Sequence, residues 1–303
     1  MTLSVVISAY NEEKNIRECI ESVEELADEI IVVDNTSQDR TSEIAKKCGA
    51  KVFTQVNNPR KIDLQKNFGY EKATQEWILS LDADERISQR LAQEIIKAVR
   101  AEEVSGYHIP RKNIIFGKWI KHSLWWPDYQ LRLFRRGRGK FVSATVHQPL
   151  FVRGEVRHLS EPLTHYNYTS ISQFVDRMNS IYTEIEADEI IREKERLHWT
   201  DAIRMPFSDF LKTFFLQRGY RDGLHGLILS ILQAFYMFLV FAKVWEKQGF
   251  YEKDHKEVLK GIVKELETFS KQTRFWLFSS LKHETRNPFK RALYIYAKKL
   301  LKY

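Results

Sequence analysis

The first 111 residues alternate between short, unbroken apolar runs and segments of helical spacing, and the apolar runs end in acids or amides. Leu3–Ser8, Glu29–Asp34, Lys51–Thr54, Trp77–Leu81 and Gly106–Arg111 read as strands. Glu12–Glu25, Thr41–Cys48, Lys61–Ala73 and Ser88–Ala101 read as helices, with Gly49 closing the second and Ser88 capping the fourth. A strand covered on both faces has no solvent side, so its side chains need not alternate. The pattern therefore predicts an α/β fold, a doubly wound, mostly parallel sheet between two layers of helices. Such sheets bind ligands beyond the carboxyl ends of their strands. Those ends carry Ser8-Ala9-Tyr10-Asn11-Glu12, Asp34-Asn35 and Asp82-Ala83-Asp84-Glu85.

Glycine is scarce. The first of 12 is Gly49, so no glycine-rich phosphate loop follows the first strand. This excludes the dinucleotide fingerprint and the P-loop from the N-terminal unit. Asp82-Ala83-Asp84 offers phosphate another partner. In an extended chain residues i and i+2 point the same way. Both carboxylates would then face one Mg2+ or Mn2+, whose hard charge suits the oxygens of a diphosphate. D-x-D alone is common in capped turns; its position behind WILSL, with Asp34 one strand earlier, gives it weight. Asp34 is placed to accept hydrogen bonds from a nucleobase or ribose.

After Arg111 the pattern loosens, and residues 112–170 are expected to form loops and short strands over the open edge of the sheet. Helix returns from Ile171. Leu227–Ala242 is an apolar stretch of 16 residues interrupted by Ser230 and Gln233. It falls short of the ~20 residues of a spanning helix and suits a buried or membrane-resting one, with a shallow insertion as the alternative. Residues 271–303 hold nine Lys/Arg against one acid, Glu284, so they carry the whole net charge of +8. Seven aromatics interleave them, which predicts a contact with an anionic membrane surface rather than with nucleic acid. The two cysteines exclude a disulfide scaffold, and Cys19 is expected to be packing. No His/Cys cluster has zinc-ligand spacing, and the N-terminus lacks the marks of a signal peptide, so the expected location is cytoplasmic.

The runs VVISAYNEEKNIRECIESV, EIIVVDNTSQDRT and QKNFGYEKATQEWILSLDADE resemble the nucleotide-sugar half of family 2 glycosyltransferases. FGKWIKHSLWWPDYQLRLFRRG, VHQ, HYNY and RGYRDGLHGL resemble a narrower group, the bacterial enzymes related to lipopolysaccharide-core β-1,4-glucosyltransferases. The resemblance covers most of residues 1–245. It implies the glycosyltransferase A-type fold, a nucleoside-diphosphate sugar donor (a UDP-sugar), a divalent cation and inversion at the sugar carbon. It further implies that Ala9, Tyr10, Asn11, Glu12 and Asp34 surround the nucleoside, that Asp82 lies near the ribose with Ala83 beside it, and that Asp84 faces the metal and diphosphate.

An inverting transfer needs a base for the acceptor hydroxyl. In the resembling group a carboxylate is expected directly after Val-His; here that position is Gln148, and an amide is no base. His147 and Asp128 are the candidates that remain, although Asp128 has arginines nearby to pair with. Trp125 and Trp126 suit the apolar face of an acceptor sugar. Arg132, Arg135 and Arg136 suit an anionic acceptor or the leaving diphosphate.

The expected organisation is a nucleotide-sugar half over 1–111, an acceptor and catalytic half over 112–205, and a helical, basic region over 206–303 that associates with the inner face of the cytoplasmic membrane. The expected activity is hexosyl transfer to a lipid-linked or lipopolysaccharide-core hydroxyl, with a glycolipid or oligosaccharide as acceptor. Transfer to a polyprenyl phosphate, and a donor-binding protein that has lost its base, are the alternatives. Nucleotidyl transfer would require a glycine-rich activation loop near the N-terminus, and none is present there.

Overall fold

A computed structural model describes residues 2–59, 61–142, 149–193 and 197–300. They form two compact units, Met1–Trp119 with Trp125–Ser170, and Ile120–Leu124 with Ile171–Tyr303. Residues 171–205, grouped by sequence with the acceptor half, belong to the second, helical unit.

In the first unit the chain runs β1 (Leu3–Ala9), α1 (Ile16–Glu21), β2 (Glu29–Asp34), α2 (Thr41–Lys47), β3 (Lys51–Thr54), α3 (Ile62–Lys72), β4 (Trp77–Asp82), β5 (Glu85–Arg86) and α4 (Gln89–Ala98). It continues through β6 (Val104–Ile115), β7 (Lys118–Trp119), β8 (Asp128–Arg135), β9 (Gly139–Lys140), β10 (Phe151–Val152), β11 (Glu155–His158) and β12 (Leu163–Tyr168). The main sheet is ordered β3-β2-β1-β4-β8-β6-β12-β5, and β7 and β11 also pair with β6. The β3-β2-β1-β4 half is parallel, as expected.

Two elements depart from the expectation. Glu12–Glu25 yields only the short helix α1, because turns occupy both flanks. Residues 112–170 do not merely cover an edge: β8 enters the middle of the sheet, antiparallel to both β4 and β6.

Alternate residues of the central strands feed two cores. Val5, Ile7, Val32, Leu79 and Leu81 pack with Ile16, Ile20, Leu91 and Ile95 of α1 and α4. Cys19 is fully buried there, and burial pushes its thiol up, as expected of a packing residue. Val6, Ile31, Val33, Ile78 and Phe134 pack with Tyr70 of α3 on the other face. That helix lies so close to the sheet that a Cβ at Gly69 would stand 2.6 Å from Val6 and 2.8 Å from Val33, both stiff β-branched residues.

Glu29 fastens the amino end of the sheet. Its Oε2 accepts from Ser4 Oγ at 2.7 Å and from the Thr74 backbone N–H at 2.9 Å, and its Oε1 pairs with Lys51 at 2.8 Å. Burial alone would raise its carboxyl, but the Lys51, Ser4 and Thr74 hydrogen bonds prevail and lower it from 4.5 to about 2. A carboxyl depressed on folding contributes stability that is complete above its unfolded value and vanishes as pH falls through the folded one. The Glu29→Gln variant is therefore expected to lose about 3 kcal/mol at neutral pH and to show a flatter decline between pH 4.5 and about 2 in urea titrations. An acid limb unchanged from the parent protein would show that Glu29 has no such role.

The second unit contains α5 (Ile171–Arg177), α6 (Thr183–Arg192), α7 (Asp201–Phe210), α8 (Leu224–Lys247), α9 (His255–Glu284) and α10 (Pro288–Leu300). RGYRDGLHGL is its joint. A Cβ on Gly226 of α8 would sit 1.8 Å from the Gly219 carbonyl oxygen, so only glycine permits the contact. Asp222, buried in the same turn, accepts from the Lys121 and His122 backbone N–H groups. At 24 residues α8 outruns the 16-residue apolar stretch and is long and apolar enough to cross a membrane.

Candidate active site

Register aligns the strand ends that the sequence singles out. Ala9 pairs with Asp34 across β1 and β2, and Ser8 with Asp82 across β1 and β4. The loops that follow β1 and β2 are sewn together. Asn11 N–H donates to Ser37 Oγ at 2.9 Å, Gln38 N–H donates to Asn11 Oδ1 at 2.8 Å, and Asn35 Nδ2 donates to the Ala9 carbonyl at 3.0 Å. Asn11 and Thr36 both have left-handed backbones, at φ 55° and 56°. For β-branched Thr36 this conformation is strained, and strain of this kind concentrates at functional edges. Tyr10 stands exposed at the rim. Asp34 is buried, with one carboxylate oxygen accepting from the Ser37 N–H at 3.3 Å. Its other oxygen, Oδ1, finds no hydrogen-bond partner among the described residues. A buried acceptor left open in this way suits a ligand that brings a donor.

Beneath the D-x-D turn lies a ladder of alternating charge. Lys66 Nζ is 2.7 Å from Asp82 Oδ1, and Arg132 Nη2 is 2.6 Å from both Asp82 Oδ2 and Glu85 Oε1. Arg111 continues it, 3.8 Å from Glu85 and 2.6 Å from Asp128. Three cations alternate with three carboxylates, so the burial of each charge is offset by its neighbours. Burial tends to raise the Asp82 carboxyl, but Arg132 and Lys66 overcome it and hold the group well below the usual range. Glu85 is fully buried and also accepts from the Asp82 backbone N–H at 3.0 Å, which pins the turn.

Asp84 belongs to a different set. The chain turns at Ala83 and Asp84 instead of staying extended, and among the described contacts Asp82 faces Lys66 and Arg132 while Asp84 faces His165. Asp84 Oδ1 lies 3.5 Å from His165 Nε2, and both residues are buried. The tautomer follows from the next contact. Asn113 Nδ2 donates to the Trp125 carbonyl and to Asp128 Oδ2, both at 3.1 Å, so its Oδ1 is left to accept from His165 Nδ1 at 2.7 Å. With Nδ1 engaged by Asn113, the His165 ring is held so that its Nε2 faces the Asp84 carboxylate.

Several expectations change in this light. Arg132 does not reach toward an acceptor: it is buried against Asp82 and Glu85, because β8 lies beside β4. Arg135 lies over the Trp77 ring and pairs with Glu76, and Arg136 donates to the Gln75 carbonyl. Asp128 is engaged by Arg111, Asn113 and Gln130; burial tends to raise its carboxyl, yet these partners hold it below the usual range. A carboxylate so occupied is a weak proton acceptor. Trp125 and Trp126 are half-buried, the latter edge-on to Trp119 at 5.2 Å. His147 and Gln148 lie outside the described residues.

Lys66, Arg111 and Asn113 escape the sequence reading, Glu85 enters it only as the last residue of the third strand-end cluster, and His165 only within the HYNY run. Lys66 did leave a trace, since it shares helical spacing with the buried Gly69, Tyr70 and Ala73, and a lysine on a buried stripe implies a carboxylate partner. Among the described residues no group of three or more His, Cys, Asp or Glu is arranged to hold a metal ion.

The sequence profile of glycosyl transferase family 2 matches residues 4–158. The lipopolysaccharide core biosynthesis glycosyltransferase LpsC of Rhizobium meliloti is 29% identical over 255 residues, covering 82% of this chain and 94% of its own length. An uncharacterized glycosyltransferase of Rickettsia typhi is 32% identical over 257 residues, 80% of this chain and 87% of its own. The structure of S. aureus TarS 1–349 in complex with UDP aligns with a TM-score of 0.45 at 16% identity, covering 84% of this chain and 93% of that one.

Proposed function

The chain belongs to glycosyl transferase family 2, and we propose that it transfers a hexose, with inversion, from a UDP-sugar to a hydroxyl of a lipid-linked or lipopolysaccharide-core acceptor. The observation that carries this reading is the set of groups along one sheet edge: the open acceptor Asp34 Oδ1, the ionised Asp82 and the Asp84–His165 pair.

In this reading Asp34 Oδ1 accepts a donor hydrogen from the nucleoside, Tyr10 covers the base, and the loop Ala9–Glu12 closes around it. Lys66 and Arg132 keep Asp82 charged, so that it accepts from the ribose beside Ala83. Asp84 and His165 would hold Mg2+ or Mn2+ through a hard carboxylate and an imidazole nitrogen, the ring being oriented by Asn113. An ion held there would neutralise charge on the leaving diphosphate. Trp125 and Trp126 are assigned to the acceptor sugar, and His147 to its hydroxyl proton. The similarity to LpsC supports a cell-envelope acceptor, met at the inner face of the cytoplasmic membrane.

The test is thermal stabilisation by a panel of nucleotide sugars with Mn2+. A ligand at 100 Kd is expected to add about 2.7 kcal/mol, and Asp34→Ala to remove that gain. If no nucleotide sugar stabilises the protein, the reading fails. A second reading, a donor-binding protein without a base, draws on Gln148 in the sequence and on the occupied Asp128. Donor binding without any turnover, by the parent protein and by Gln148→Glu alike, would favour it.

A further inference from the structure

Helices of a water-soluble unit ordinarily turn their apolar stripes inward. In the second unit α8 and α10 also carry apolar stripes on their exposed sides. In α10 the side that meets α9 is set by Tyr294, stacked on Phe278, and by Lys298, which lies over Phe275 and donates to Ser279 Oγ. Phe289, Leu293, Tyr296 and Leu300, spaced 4, 3 and 4 apart, fall about 150° around the helix from that contact. All four are exposed, Phe289 at 85%. Lys290 and Lys299 flank the stripe, and Arg291 follows. In α8, Leu229, Val240 and Val244 are buried, while Leu224, Ile231, Phe235 and Phe238 form an exposed stripe on the opposite side.

We infer that these two stripes lie flat in the headgroup region of an anionic lipid bilayer, with α8 resting on the membrane and not crossing it. This deepens the membrane location proposed above by assigning the residues that meet the lipid, and it rests on that reading.

Charge selects the occupant. Residues 271–303 carry nine cations and one acid, so two copies meeting through α10 would bring like charges together, whereas anionic headgroups neutralise them. Rows of Phe, Leu and Tyr flanked by lysine match an interfacial helix, whose apolar face sinks roughly 5–10 Å below the headgroups. The neighbours of α8 argue against a span. Along it run Glu184, Glu186 and Asp188 of α6, paired with Lys243, Tyr236 and Lys247. A helix surrounded by hydrocarbon would draw these carboxylates in with it.

The test uses the full chain with vesicles of phosphatidylcholine, either alone or with about 30% phosphatidylglycerol. The protein is expected to sediment with the anionic vesicles at low salt and to be released by alkaline carbonate. The exposed-site variants Phe289→Ser/Leu293→Ser and Phe235→Ser/Phe238→Ser should each weaken partitioning about tenfold or more, with the thermal midpoint and nucleotide-sugar binding unchanged. Vesicle binding by both variants equal to that of the parent overturns the residue assignment while leaving the membrane location standing. No binding by the parent, or dissociation of a parental dimer by Phe289→Ser/Leu293→Ser, overturns both. Resistance to carbonate extraction overturns the in-plane placement of α8.

Discussion

Arg132→Ala is expected to destabilise the first unit by about 3–5 kcal/mol, a large part of the stability of an ordinary domain. Arg132 stands between Asp82 and Glu85 at 2.6 Å from each. Among the described residues, removing it leaves the fully buried Glu85 with Arg111 at 3.8 Å as its remaining cation and Asp82 with Lys66 as its own. Loss of one partner from a buried ionic set is costly because the desolvated charge that remains has no compensation. Urea denaturation at pH 7 measures the effect directly. Acid should partly mask it. The folded Asp82 carboxyl is depressed well below 3.8, so its contribution is complete above that value and disappears as pH falls through the folded one. The gap between parent and variant should therefore narrow in strong acid. A variant within about 1 kcal/mol of the parent that only raises the acceptor KM would restore the acceptor-binding role that the sequence suggests for Arg132.

Asp84→Ala is expected to lower kcat/KM by about 10³-fold, equivalent to roughly 4 kcal/mol of transition-state stabilisation. The fold should survive, because Asp84 stands outside the Lys66–Asp128 ladder. A readout independent of turnover is Mn2+ affinity, followed by paramagnetic resonance in the presence of UDP. His165→Ala should abolish tight Mn2+ binding, as Asp84→Ala does. Asn113→Ala, which frees the His165 tautomer without removing the ring, should weaken it about 10–100-fold. Calorimetry that finds equal nucleotide-sugar affinity with Mn2+ and with excess chelator would exclude the Asp84–His165 ion site.

The strand-and-helix alternation of residues 1–111 is legible from sequence because it reflects local periodicity: side chains on a doubly covered strand and on a helix face each obey a repeat of a few residues. The same repeat places Asp34 and Asp82 at strand ends, and the strand ends of a parallel sheet lie at one edge by connectivity alone. The family resemblance adds the chemistry of the donor. Helix length is less legible, as Glu12–Glu25 shows, where turns displaced most of the expected helix.

What tertiary structure alone decided is which distant residues became neighbours. Arg132 is separated from Asp82 by 50 positions, and His165 from Asn113 by 52. No periodicity reveals that β8 would insert beside β4, or that β12 would run along β6 and bring His165 to Asp84. An arginine on a half-polar strand reads as a surface cation until the strand opposite it is known. Once β4 lies beside β8, the same guanidinium is enclosed between two carboxylates, because a charge carried into the interior persists there only with its counter-charges in contact.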